Sequence, residues 1–307
     1  MRNTFINKIT EMAQNNKKIM VVTADLGYSV LEGFRDLYPS RYFNVGISEQ
    51  AMASIAGGMA LEGNIVITYS IGNFSTLRCI EQIRNDICYH NANVKIVSVG
   101  GGFSYGQLGM SHHATEDIAM MRTIPGMKVL VPSDPEEAAA AAEYVINTDG
   151  PCYIRLAKNR EPKLYDKTDY KLDKMYRLTS GNGKAALISC GPVLKNVISA
   201  AETLESENII TDIYSSPCVS PLDTASLKKI IDSYDFIFTV EEHNVTGGLG
   251  GAVAEVISGC PDRKAVIHRL GLQNCFASIV GDHDYLCEQY GISDEKIANT
   301  VRGIMVK

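Results

Sequence analysis

Three stretches of this sequence hold side chains able to move protons or steady charge. In FNVGISEQAM, residues 43–52, a glycine leaves an extended segment and a carboxylate, Glu49, falls in the first turn of a helix. The helix dipole favours an acid there whatever else it does, so position alone gives it a structural role. In SVGGGFSYGQLGMSHH, residues 98–113, five glycines and the adjacent His112 and His113 follow an apolar run. Open α/β sheets carry ligand-binding loops at such strand ends, and imidazoles exchange protons near neutral pH, although a lone histidine is often a satisfied core group. The third stretch, EEHNVTGGLGGAVAEVI at 241–257, is a glycine-rich turn entering a helix, a pattern too weak to mark a nucleotide site. The eight cysteines show no C-x-x-C and no Cys/His cluster at zinc spacing, and most are expected to be reduced core thiols.

These groups need a scaffold, and the hydropathy pattern supplies one. From Lys18 to Pro151, the short apolar runs KIMVVTA, NIVITYS, VKIVSVG and MKVLVPS alternate with helical patterns at Ser48–Leu61, Leu77–Tyr89, Thr115–Met121 and Asp134–Asn147, and CYIRLA closes the unit. Apolar strands between helices imply a parallel α/β sheet. Pro132-Ser133-Asp134-Pro135 is a helix-start signal. The small residues of SEQAMASIAGGMALEG suit a close helix contact or a helix lying flat on its own sheet. Residues 159–182 are polar and Lys/Asp-rich, and the alternation resumes with KAALISC, NIITDIYS, DFIFTVEE and KAVIHRL, separated by helical stretches near 193–205, 222–234 and 247–258. The expectation is two parallel or mostly parallel α/β domains, at 1–165 and 183–307, joined by a linker at 166–182.

The 307 residues suffice for two cores. An apolar fraction of 45% with 21% charged residues is globular, and no apolar run is long enough to span a membrane. The N-terminus lacks the apolar centre of a signal peptide, so a cytoplasmic location is expected. A net charge of −6 without a basic, aromatic-laced tract argues against nucleic acid.

Taken together, DLG (25–27), GISEQAM (46–52), NFSTLRCIEQIRND (73–86), the block from Gly109 to Ala138 and RLAKN (155–159) occur in the order and spacing of one family. The chain resembles the C-terminal half of transketolases, covering their pyrimidine-binding and C-terminal domains. The resemblance implies thiamine diphosphate as cofactor. The diphosphate domain's Gly-Asp-Gly signature has no counterpart, so the resemblance further implies a split enzyme: an N-terminal diphosphate-binding subunit would hold Mg²⁺ and complete the site, in an α2β2 assembly.

The same resemblance assigns roles. Glu49 matches the glutamate that favours protonation at N1′ of the pyrimidine, and Ile47, also suited to ordinary core, matches the apolar wedge that bends the two cofactor rings together. Phe74 matches a stacking aromatic, with Arg78 and Gln82 beside it, and Asp25 matches an acid near the thiazolium. His112 matches the histidine that hydrogen-bonds the donor ketose, with His113 as its orienting partner. Arg155 and Lys158 fall where sugar phosphate is gripped, Lys158 in place of an arginine. Leu108 stands for a hydroxyl-reading Asp and Gly100 for a phosphate-contacting His, which implies a less phosphorylated or differently shaped sugar. Ketol transfer is the expected activity. The β subunit of a 2-oxo-acid dehydrogenase, with the same layout and glutamate, and a non-catalytic partner subunit are the alternatives.

Overall fold

The computed structural model describes all residues except 159–160, 167–169, 180, 262 and 307. Asn159 of the RLAKN motif and part of the expected linker therefore lie outside the described residues. Two sheets form, both mostly parallel. The first contains β1 (Ile19–Thr23), β2 (Tyr42–Asn44), β3 (Ile65–Ile71), β4 (Val94–Val99), β5 (Lys128–Leu130) and β6 (Cys152–Leu156). The second contains β7 (Tyr176–Arg177), β8 (Ala185–Ser189), β9 (Thr211–Ser215), β11 (Phe236–Asn244) and β12 (Val266–Leu272), while β10 (Cys218–Ser220) crosses to the first.

The strand order of the first sheet is β10-β5-β6-β4-β3-β1-β2. Every residue of β4 and β6 is buried, as expected of strands covered on both faces. On one face, helices Arg2–Asn15 and Pro135–Ile146 bury Phe5, Ile9, Ala138 and Val145 against Val21, Ile67 and Ile154. On the other, helix Glu49–Leu61 buries Met52, Ala53 and Ala56 in a core that continues into the second unit through Ile188, Leu249 and Val253. That continuity fixes the two units to each other.

Two edge strands escape the periodicity reading because each is too short to show a period. β10 comes from the second half of the chain, yet pairs antiparallel with β5. β7, at the end of the polar stretch expected as a linker, pairs antiparallel with β9; Leu172, Met175 and Tyr176 are buried there. The helix expected at 77–89 is broken into a 3-10 turn at Leu77–Cys79, a short α turn at Ile80–Gln82 and a π turn at Ile83–Cys88. The helix Asp294–Met305, which buries Ile297, Ala298 and Val301, went unread in the sequence.

The small-residue helix Glu49–Leu61 makes both contacts considered for it. It lies on its own sheet, and it also meets the π turn at a single close point. A Cβ on Gly57 would sit 2.8 Å from the Asp86 carbonyl oxygen, while one on Gly58 would meet nothing within 4 Å. Ser54 Oγ donates to Asp86 Oδ2 at 2.6 Å beside it. Propensity alone makes Gly→Ala in a helix favourable by about 1 kcal/mol. Gly58→Ala is therefore expected to raise the melting temperature. Gly57→Ala is expected to lower it, by about 1–3 kcal/mol of overpacking. Thermal melts of the two variants check the opposite signs.

Candidate active site

Glu49 opens its helix after Gly46 (φ +74°) and Ser48, at the end of the loop that follows β2. Its side chain is 2% exposed. A buried carboxylate needs a partner, and Arg78 supplies one: Nη1 donates to Glu49 Oε2 at 2.6 Å. The same guanidinium lies over the Phe74 ring, 4.5 Å from its centroid. A flat cation thus bridges the expected cofactor acid and the expected stacking ring. Ile47 is not core: it is 81% exposed, projecting from the turn that leads to Glu49. Gln82, in the short α turn, buries Oε1 with no hydrogen-bond partner among the described residues.

The loop after β4 brings His112 to Phe74. Their rings meet edge to face at 5.1 Å, and Tyr105 is tilted against His112 at 5.7 Å. His112 Nδ1 lies 3.0 Å from Ser111 Oγ. Burial, then the neighbouring His113 and Lys158, hold its pKa below the ordinary histidine value, so the ring is neutral at pH 7. Asn73, missed in the sequence, staples the loop to the Phe74 turn: its Nδ2 donates to the carbonyls of Ser111 at 3.2 Å and His113 at 2.9 Å. Its place beside Phe74 at the end of β3 was the available signal.

His113 and Arg155 do not face the cleft. The His113 ring is buried, with Nε2 2.9 Å from the Gly106 carbonyl and its edge against Phe103. It braces the loop from inside and makes no hydrogen bond to the His112 ring. Arg155 is 3% exposed and two of its nitrogens are committed: Nε to Asp117 Oδ2 at 2.8 Å, Nη2 to the carbonyls of Ala114 at 2.7 Å and Glu242 at 2.9 Å. His113, expected to orient His112 at the substrate, and Arg155, expected to grip sugar phosphate, are instead held inside by these bonds. Glu242 adds to the clamp by accepting from Phe103 N while facing His283 Nε2 at 3.1 Å. The second unit thereby grips the loop that presents His112.

Lys158 stays exposed, its Nζ 4.4 Å from the centroid of the Tyr105 ring. It shares a cavity of about 210 Å³ with Arg2, Tyr28 and Tyr69. Arg2 went unremarked in the sequence because it is distant from every motif, and the first helix carries it there. Asp25 adopts φ +55° at the end of β1, where Asn44 Nδ2 donates to its carboxylate at 3.1 Å and Tyr28 Oη at 3.3 Å. Left-handed backbone is uncommon for a residue other than glycine, and here the exchange with Asn44 supports the turn. Leu108 is 55% exposed on the same loop as His112. The glycine-rich 241–257 segment is a cap: Glu241 accepts from Leu249 N at 2.7 Å and Gly250 N at 2.8 Å, and Arg122 binds the Gly247 carbonyl at 2.6 Å. Among the described residues no group of three His, Cys, Asp or Glu side chains is placed to hold a metal ion.

Comparison with known proteins places this arrangement. Residues 1–162 match the family described as transketolase, pyrimidine binding domain, and residues 174–297 that described as transketolase, C-terminal domain. The chain is 32% identical over 303 residues to an apulose-4-phosphate transketolase subunit of Actinobacillus succinogenes, covering 97% of this chain and 96% of that one. It is 31% identical over 307 residues to the 6-deoxy-6-sulfo-D-fructose transketolase subunit SqwH of a Clostridium species, covering 99% and 94%. A solved structure described as a split gene transketolase, inactive β4 tetramer, superimposes with a TM-score of 0.87 at 31% identity, covering 98% of this chain and 96% of that one. Since the matches take in both units and nearly the whole sequence, the chain belongs to the transketolase family.

Proposed function

We propose that this chain is the pyrimidine-side subunit of a split transketolase, which moves a two-carbon ketol unit from a ketose to an aldose with thiamine diphosphate shared between it and a diphosphate-binding partner chain. One observation carries the reading: the buried Glu49 carboxylate, the Phe74 face and His112 converge on one patch. The aminopyrimidine is flat, part polar and protonated when active. The Arg78 guanidinium is itself flat and cationic, and it already lies on Phe74 while donating to Glu49. The residues present therefore fit such a ring. When bound, thiamine diphosphate supplies the carbon nucleophile that breaks and remakes the sugar's carbon–carbon bond.

The chain's own residues do the rest. Glu49 holds the proton at the ring nitrogen, Phe74 supports the ring face, and exposed Ile47 sets its angle, with Gln82 and Asp25 as nearby contacts. Neutral His112 accepts a hydrogen bond from a sugar hydroxyl through its unprotonated ring nitrogen and takes that proton. Lys158 and Arg2 hold an anionic end, Lys158 as a point charge in place of a bidentate fork. Two cations in one cavity support a substrate that keeps an anionic end, while Gly100 and Leu108 alter the walls around the remainder. The relatives named for a sugar phosphate and a sulfo sugar accord with an anion grip that tolerates different groups.

The partner chain holds the diphosphate and Mg²⁺ in this reading, in an α2β2 assembly of the cytoplasm. Exposed Ile47, Leu77 and Met110 supply apolar surface for it to cover. The similar structure named an inactive β4 tetramer fits a subunit that needs a partner. The test is an assay of the chain alone and with the partner. Ketol transfer is expected from the pair and none from the chain alone. Decarboxylation of pyruvate or a branched 2-oxo acid by the pair, without ketol transfer, would instead establish the 2-oxo-acid dehydrogenase alternative.

A further inference from the structure

Two cavities meet at Tyr105. The smaller, of about 210 Å³, is lined by Arg2, Tyr28 and Tyr69. The larger, of about 630 Å³, lies between the two units and is lined by Lys195, Asn196 and His283. Tyr105 and Lys158 line both. The ring reaches this position because Gly100 has no side chain: a Cβ there would lie 2.0 Å from Tyr105 Cε2. Gly100 also has φ +90°, a backbone that side chains other than glycine's rarely adopt. Lys158 Nζ above the ring and His112 beside it hold the plane. Arg2 acts electrostatically on the phenol, which has no hydrogen-bond partner among the described residues.

We propose that Tyr105 is a specificity-determining residue: its ring is the wall that closes the smaller cavity, and its hydroxyl hydrogen-bonds the anionic or hydroxyl end of a short sugar held by Arg2 and Lys158. This rests on the sugar-transferring function proposed above. The physical basis is that a ring wall excludes by volume, whereas a free hydroxyl adds affinity for a polar end. With the ring removed, the small cavity opens into the one between the units, and longer sugars gain room. With the hydroxyl alone removed, the wall stands.

The test compares Tyr105→Ala and Tyr105→Phe with the wild type, using glyceraldehyde 3-phosphate as the short aldose and glucose 6-phosphate as the long one. Calorimetric binding to the full chain and kcat/KM in the assembled pair are both measured. The alanine variant is expected to shift the long-to-short ratio by about tenfold or more towards the long sugar. The phenylalanine variant should keep the wild-type ratio within about twofold while weakening both sugars. The proposal is overturned if the alanine variant, shown folded by its melt, keeps the wild-type ratio, or if the wild type binds neither sugar. Absence of ketol transfer from any ketose would remove the proposed function, and the binding ratio would still decide the role of Tyr105.

Discussion

Glu49→Gln is expected to lower ketol transfer by the assembled pair by about 10²–10⁴-fold, the range a positioned acid–base group contributes, with the melting temperature nearly unchanged. The amide keeps an oxygen where Arg78 Nη1 now donates at 2.6 Å, so the buried end of the helix retains a hydrogen bond. What it loses is the negative charge that, in the proposed function, holds a proton on the ring nitrogen. Because the side chain is almost wholly buried, water supplies little substitute charge, and the loss falls on kcat more than on KM. Turnover, a thermal melt and a titration with thiamine diphosphate separate these effects. Unchanged turnover would place the proton chemistry elsewhere and favour the non-catalytic reading of the chain.

Asp117→Ala is expected to produce the largest loss of stability. Asp117 is fully buried, and its Oδ2 accepts from Arg155 Nε at 2.8 Å and Tyr153 Oη at 2.5 Å. Its removal leaves a guanidinium buried without its counter-charge, which costs about 3–5 kcal/mol and lowers the melting temperature by roughly 10 °C. Replacing the pair together, Asp117→Leu with Arg155→Met, is expected to recover most of that stability, since a well-packed apolar pair is often no worse than a buried ion pair. Activity is expected to stay low in the double variant, because Arg155 Nη2 also anchors Ala114 and ties the loop to Glu242. A stable but impaired double variant would show that Arg155 positions His112. A double variant with wild-type kcat would leave Arg155 a purely structural residue.

The two largest effects fall on residues of opposite legibility. Glu49, His112 and Phe74 lie in short motifs whose order along the chain already suggested that they work together, and the structure brings them to one patch. Arg155 and His113 lie in equally conspicuous motifs, but their orientation depends on what packs against them. Strand β6 is covered on both faces, so an arginine within it faces interior groups wherever its motif falls. The Gly106 carbonyl binds the His113 ring only because the loop turns back on itself, with Gly102 N donating to the Ala114 carbonyl at 2.9 Å. No local pattern encodes that turn.

Sequence by itself determined the elements that carry a long period or a strong local signal. The buried parallel strands are mostly apolar, and Asp134 caps its helix by accepting from Glu137 N at 2.8 Å. The acid, ring and histidine were singled out because their motifs resemble those of one family, and their roles belong to the function proposed above. Tertiary structure decided what depends on partners distant in the chain: β10 from the second half closing the first sheet, Glu242 gripping the His112 loop, Arg2 arriving beside Lys158, and Tyr105 filling the space over Gly100. Each is a contact between surfaces far apart in sequence. Its energy comes from burial and shape, which residue order constrains only after the chain has folded.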